Sequence, residues 1–152
     1  MTILEKNSNL NEELLVVNEH EVIQKVSDEE EFEMDMHNIE NYDKVIQADP
    51  NNADAYYNRG NAYYELEIYG RAIKDFSKAI QLGHNNSAAV YVSRASAYGE
   101  LGECTIALTD CAMAIQLDPS YVHAYDAFGW TYGEQGQYQK AIDSYTQAIQ
   151  LD

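Results

Sequence analysis

The feature that most constrains this chain is an internal repeat. Ala53-Asp-Ala-Tyr-Tyr-Asn-Arg-Gly-Asn-Ala-Tyr aligns with Ala88-Ala-Val-Tyr-Val-Ser-Arg-Ala-Ser-Ala-Tyr and with Val122-His-Ala-Tyr-Asp-Ala-Phe-Gly-Trp-Thr-Tyr, at offsets of 35 and 34, with Ser87 as the extra residue. Self-similarity at such a period marks a stacked array, in which each unit is one supersecondary element and its neighbours complete its core.

The columns of this alignment carry size information. Tyr56/Tyr91/Tyr125 and Tyr63/Tyr98/Tyr132 are aromatic, whereas Gly60/Ala95/Gly129 and Ala72/Ala107/Ala141 are small. Phe76/Cys111/Tyr145 follows, and Ala79/Ala114/Ala148, Ile80/Ile115/Ile149 and Leu82/Leu117/Leu151 close each unit. Spacings of four and three from Tyr56 through Gly60 to Tyr63, and again from Ala72 through Phe76 to Ala79, are helical faces rather than strand alternation. Each unit is therefore two helices. The turns between them are Leu66–Gly70, Leu101–Cys104 and Gln135–Tyr138, two of them with a central glycine. Asp118-Pro119 ends a helix, because the residue before proline is pushed out of the α region. The small columns stand where two helices cross, and a leucine there would wedge the pair apart.

These columns resemble the tetratricopeptide repeat (TPR), over residues 53–86, 88–121 and 122–152. Arg59 and Arg94 stand where the family usually has leucine, Cys111 where it has an aromatic, and His84 where it has proline, which weakens one helix stop. The resemblance implies an all-α, right-handed α-solenoid of antiparallel helix pairs. It also implies that the first helix of each pair lines a concave groove that binds peptides. On that geometry the groove candidates are Tyr57, Asn58, Asn61 and Tyr64, then Val92, Ser93 and Ser96, then His123, Asp126 and Trp130, with Asp54, Glu65, Ala89 and Ala127 beside them. Asn58 and Asn61 are three apart, so both amides are either peptide-backbone ligands or solvated side chains. Trp130 is either an anchor on the groove wall or a packing residue against a neighbouring helix. One TPR subclass grips acidic chaperone tails with lysines, an arginine and asparagines. The matching positions here are Tyr57, Asn61, Ser93, His123 and Ala127, of which only Asn61 agrees, so an acidic tail is rejected.

Upstream the composition changes. Fourteen of the chain's 26 acidic residues precede Ala53, and all eight glycines follow it. Ser27 and Glu30 have capping-box spacing, and Asp28–Glu31 suit a helix start. Phe32, Met36, Ile39, Tyr42 and Ile46 then recur at helical spacing. Tyr42 lies 34 residues before Phe76, so 28–50 resembles the second helix of a repeat and forms an acidic helical extension that caps the array. Residues 1–27 are an acidic tail in which Leu10, Leu14, Val17, Val22 and Val26 form a weak helix. The whole is either a degenerate repeat or a cap with a mobile tail.

Charge narrows the function. A net charge of -17 excludes an electrostatic nucleic-acid binder, which needs a basic face. No apolar run reaches the roughly 18 residues of a membrane span, and the N-terminus has no secretory pattern. Cys104 and Cys111, if on one helix, lie about 10.5 Å apart by helical rise, beyond the roughly 7 Å a disulfide tolerates. Reduced, buried cysteines fit a cytoplasmic location. His20, His37, His84 and His123 form no zinc pattern. No phosphate-binding glycine loop, nucleophile elbow or EF-hand loop is present. No catalytic residue, metal or cofactor is expected. The expected function is a non-enzymatic adaptor, scaffold or co-chaperone-like module for a neutral or basic protein segment. The alternatives are a self-associating assembly module, dimerising through the C-terminal helix, or a regulatory fragment of a larger TPR protein or enzyme complex.

Overall fold

The computed structural model describes residue 30 and residues 33–151. The tail over 1–27, its weak helix, and Ser27 and Phe32 lie outside the described residues. Helix α1 runs over 33–48. Six helices follow: α2 (Ala53–Glu65), α3 (Tyr69–Gln81), α4 (Ser87–Glu100), α5 (Cys104–Leu117), α6 (Val122–Glu134) and α7 (Tyr138–Leu151). The described residues contain no strand. None of these helices is long and apolar enough to cross a membrane. The fold is an all-α solenoid in which α2/α3, α4/α5 and α6/α7 are the helix pairs, each stacked on the next.

The helix ends follow from local chemistry. Asn52 caps α2 by accepting from the Ala55 N–H at 2.9 Å, and Asn86 caps α4 by accepting from the Ala89 N–H at 3.3 Å. Both satisfy an amide that has no partner within the helix. Helix α1 stops at 48, before Asp49-Pro50. Asp118 is extended (φ -139°) before Pro119 and ends α5.

The other stops use a residue in the left-handed region. After α4 and α6, Gly102 (φ 77°) and Gly136 (φ 71°) each donate to the second-last carbonyl, while the next residue donates to the one before it. This is a Schellman closure, and glycine adopts its backbone without strain. Helix α2 closes in the same way on Glu67 (φ 58°), with Glu67 N–H to Tyr64 O and Ile68 N–H to Tyr63 O. The stop after α3 corrects the reading of His84 as a weak point. Gly83 (φ 76°) donates to Ile80 O at 3.0 Å and His84 donates to Ala79 O at 3.1 Å. A proline at 84 would have no N–H for that last bond.

The core is built from the small and bulky columns. Ala72, Phe76 and Ala79 of α3 are fully buried, as are Ala107, Cys111 and Ala114 of α5. From Asn38 onward α1 belongs to the same body. Its Ile39 is buried in the cluster that holds Tyr63, Ala72, Phe76 and Val90.

Candidate functional site

The first helices of the three pairs, α2, α4 and α6, present one face to a shared groove. Its larger cavity, of about 520 Å³, is lined by Tyr64 from α2, by Ala89, Val92, Ser93, Ser96 and Glu100 from α4, and by Tyr121, His123, Asp126, Ala127 and Trp130 at α6. Tyr145 of α7 completes it. A smaller cavity of about 180 Å³ adjoins it, lined by Asn61, Tyr64, Glu65, Val92, Ser93 and Ser96. Eight of the ten groove candidates thus meet in two adjoining hollows. Tyr57 and Asn58 lie outside both linings. Tyr57 packs instead on Phe76 (6.0 Å between ring centroids) and on His84 (4.8 Å).

The groove is electrically one-sided. Glu65, Glu100 and Asp126 line it, and neither lining contains a lysine or arginine. The tyrosines respond to this field. The Tyr64 hydroxyl titrates above its ordinary value, chiefly through burial and then through the Glu100 charge. Tyr145 is raised by burial and then by Asp126. Both stay protonated, so each hydroxyl keeps a proton to donate to an acceptor.

Trp130 both lines the groove and packs on a neighbouring helix. It is half-buried and lines the larger cavity. Its ring also rests on the backbone of α4, because a Cβ on Gly99 would collide with the indole carbons. Sequence reasoning missed Glu100, Tyr121 and Tyr145 in the lining, and Gly99 beneath the Trp130 ring. Gly99 falls in the column of Tyr64 and Gly133. A lone glycine inside a helix was the available signal, since it costs stability unless another group needs the space.

Two segments match the tetratricopeptide repeat family model, residues 53–86 and residues 122–152. Among solved structures, a crystal structure of MamA is 32% identical, with a TM-score of 0.68, over 75% of this chain and 66% of that one. The chain belongs to the tetratricopeptide-repeat family. The second TPR of Spaghetti (RPAP3), solved bound to the HSP90 peptide SRMEEVD, is 29% identical over 66% of this TPR chain and 92% of its own, at TM-score 0.61. The Arabidopsis OM64 TPR domain is 29% identical over 66% and 82%, at TM-score 0.63. No curated protein matches the sequence. The chain spans slightly less than two thirds of the MamA chain.

Outside both cavity linings, the two arginines that depart from the TPR pattern form a ladder. Arg59 donates to both carboxylate oxygens of Asp75, each at 2.7 Å, and also to Asp43 of α1. Arg94 donates to both oxygens of Asp110, each at 2.8 Å, and to the Ser77 hydroxyl at 2.9 Å. Each arginine therefore ties its own pair to the preceding helix. Such bidentate pairs are among the stronger and more directional polar contacts. Both guanidiniums are raised above their ordinary value, first by the aspartate hydrogen bond, against the lowering effect of burial. In the third pair, Phe128 and Ser144 occupy these columns, and Ala112 stands where Asp43 and Ser77 do. Phe128 packs on the Ala95–Ala107–Cys111 cluster instead.

Proposed function

We propose that the chain is a non-enzymatic protein-interaction module, an adaptor or scaffold of co-chaperone type, that holds a partner's peptide segment in the α2/α4/α6 groove. What supports the reading is the cavity of about 520 Å³ where Tyr64, Ser93, Ser96 and Trp130 converge. That size falls within the roughly 300–1,000 Å³ of ordinary ligand sites. The second TPR of Spaghetti (RPAP3) is bound to an acidic peptide in its solved structure. Here Glu65, Glu100 and Asp126 would repel such a segment, so the partner is neutral or basic. The free cysteines Cys104 and Cys111 fit the cytoplasm. A photo-cross-linker placed at Ser93, in the groove, tests this against one at Thr109, exposed on α5. A specific partner is expected from Ser93 only, and its loss with Trp130→Ala. Equal capture from both positions refutes groove binding.

A second reading is favoured by α7. Ile142 (57% exposed) and Ile149 (78%) lie open, whereas their counterparts Ile73 and Ile80 are half-buried against the first pair's core. Contiguous exposed apolar surface marks an interaction face. A second copy joining through α7 by a two-fold contact covers it and closes. Since the net charge of -17 opposes association, the dimer strengthens as salt rises. Sedimentation showing a monomer at high concentration in both low and high salt removes this reading.

A further inference from the structure

The larger cavity is walled by aromatic rings and edged by carboxylates. Tyr64, Tyr121, Trp130 and Tyr145 supply the rings, Glu100 and Asp126 supply the charge, and the lining holds no lysine or arginine. An aromatic face and a carboxylate each attract a cation, and both do so more strongly where walls displace water. Trp130 is already positioned, because its ring is seated on Gly99. A wall that is fixed before binding loses little rotamer freedom when a ligand arrives. Competing occupants fit worse. An acidic side chain meets two like charges. A purely apolar one leaves the Glu100 and Asp126 charges at the cavity edge without a partner.

We propose that this cavity is a receptor for one basic side chain, an arginine, carried by the segment in the groove. Its guanidinium stacks on Trp130 and faces Glu100 and Asp126. The assignment rests on the groove-binding reading and names the residue type that it recognises. Arginine fits better than lysine because its planar head stacks on aromatic faces and is more weakly hydrated. At about 520 Å³ the cavity also takes the backbone flanking that side chain.

Trp130 is the single tryptophan of the chain, so selectively excited indole emission reports on this cavity alone. Three peptides are titrated into the full chain at low salt and about pH 8, where the model-peptide value leaves a histidine side chain uncharged. They are acetyl-Gly-Ala-Arg-Ala-Gly-amide and the same peptide with citrulline or glutamate in place of arginine. The arginine peptide is expected to change the emission and to bind about tenfold tighter than the citrulline peptide, with no response to glutamate. The Glu100→Gln/Asp126→Asn variant keeps the rings and is expected to abolish the tenfold difference. Citrulline binding as tightly as arginine, or glutamate binding more tightly, overturns the cation site and leaves groove binding intact. Silence with the arginine peptide at millimolar concentration also overturns it, and groove binding is then decided by the Ser93 cross-link alone. An arginine preference surviving in the double variant refutes the role given to the carboxylates.

Discussion

Each helix pair crosses on one small and one larger residue, and the two sizes vary together. Gly60 faces Phe76, Gly129 faces Tyr145, and Ala95 shares a buried cluster with Cys111. A Cβ added at Gly60 would lie 2.7 and 2.8 Å from two Phe76 ring carbons, and one at Gly129 would lie 2.9 Å from Tyr145. Carbon contacts prefer about 3.5–4.0 Å. Phe76 is fully buried and cannot retreat, whereas Tyr145 is 39% exposed and can. Overpacking costs roughly 1–3 kcal/mol, and alanine in place of glycine inside a helix returns about 1 kcal/mol. At the immobile Phe76 ring the upper part of that range applies, about 2–3 kcal/mol, so Gly60→Ala should lose about 1–2 kcal/mol net, and Gly129→Ala close to nothing.

The same logic gives a cycle. With Phe76→Cys the ring is gone and the first pair has the second pair's chemistry. Gly60→Ala should then stabilise by about 1 kcal/mol, a coupling of roughly 2–3 kcal/mol between the two sites. Urea unfolding followed by far-ultraviolet circular dichroism measures all four proteins, with the slopes checked for constancy. Strict additivity of the two substitutions, or a Gly60→Ala protein as stable as the parent, would refute the argument that ring volume dictates glycine at the crossing.

Three further outcomes follow from the described contacts. Glu67 holds a left-handed backbone that costs a side-chain residue about 1–2 kcal/mol, so Glu67→Gly should raise the urea midpoint, and a lowered midpoint counts against the Schellman closure of α2. Burial, with Asp110 second, pushes the Cys111 thiol up to about 12; because the folded value lies above the unfolded one, this stabilisation is complete below about pH 8.5 and is lost as pH rises toward that value, a loss that Cys111→Ala should lack in alkaline melts. Arg94→Phe alone leaves the Asp110 carboxylate buried and unpaired, at a cost of roughly 2–3 kcal/mol, whereas Arg94→Phe/Asp110→Ser copies the third pair and should recover most of it; equal losses in both would mean that the ladder carries no pairing energy.

The helix pairs were legible because their cause is periodic. A small residue at one position and a bulky one at another recur every 34 or 35 residues, and no strand pattern reproduces them. The ion ladder was not legible, because Arg59 and Asp75 sit 16 residues apart on different helices and neither is unusual alone. The signal was present in the paired change to Phe128 and Ser144, which replaces both members together. Cys111 likewise looked like a departure from the aromatic column until Ala95 was seen beside it. His84 looked like a missing proline because the closure on Gly83 depends on a backbone N–H that side-chain patterns do not display.

The groove was legible only as a face. Residues at helical spacing on α2, α4 and α6 were assigned to one side, and eight of them line the two cavities. One wall of the larger cavity, Trp130, is held by a contact between pairs, its seating on Gly99. Residue types at Asn61, Ser96 and Trp130 share a column yet differ in reach, and only the indole is long enough to lean back onto the preceding pair. The cavity therefore depends on the stacking of three pairs, from Tyr64 in the first to Tyr145 in the third. The first two pairs are joined by the ladder bonds of Arg94 to Ser77 and Asp110. Stacking of neighbouring units sets the stability of a repeat array. A ligand that touches Tyr64 and Trp130 at once binds the stacked array in preference to a frayed one, so groove occupancy and array stability are linked.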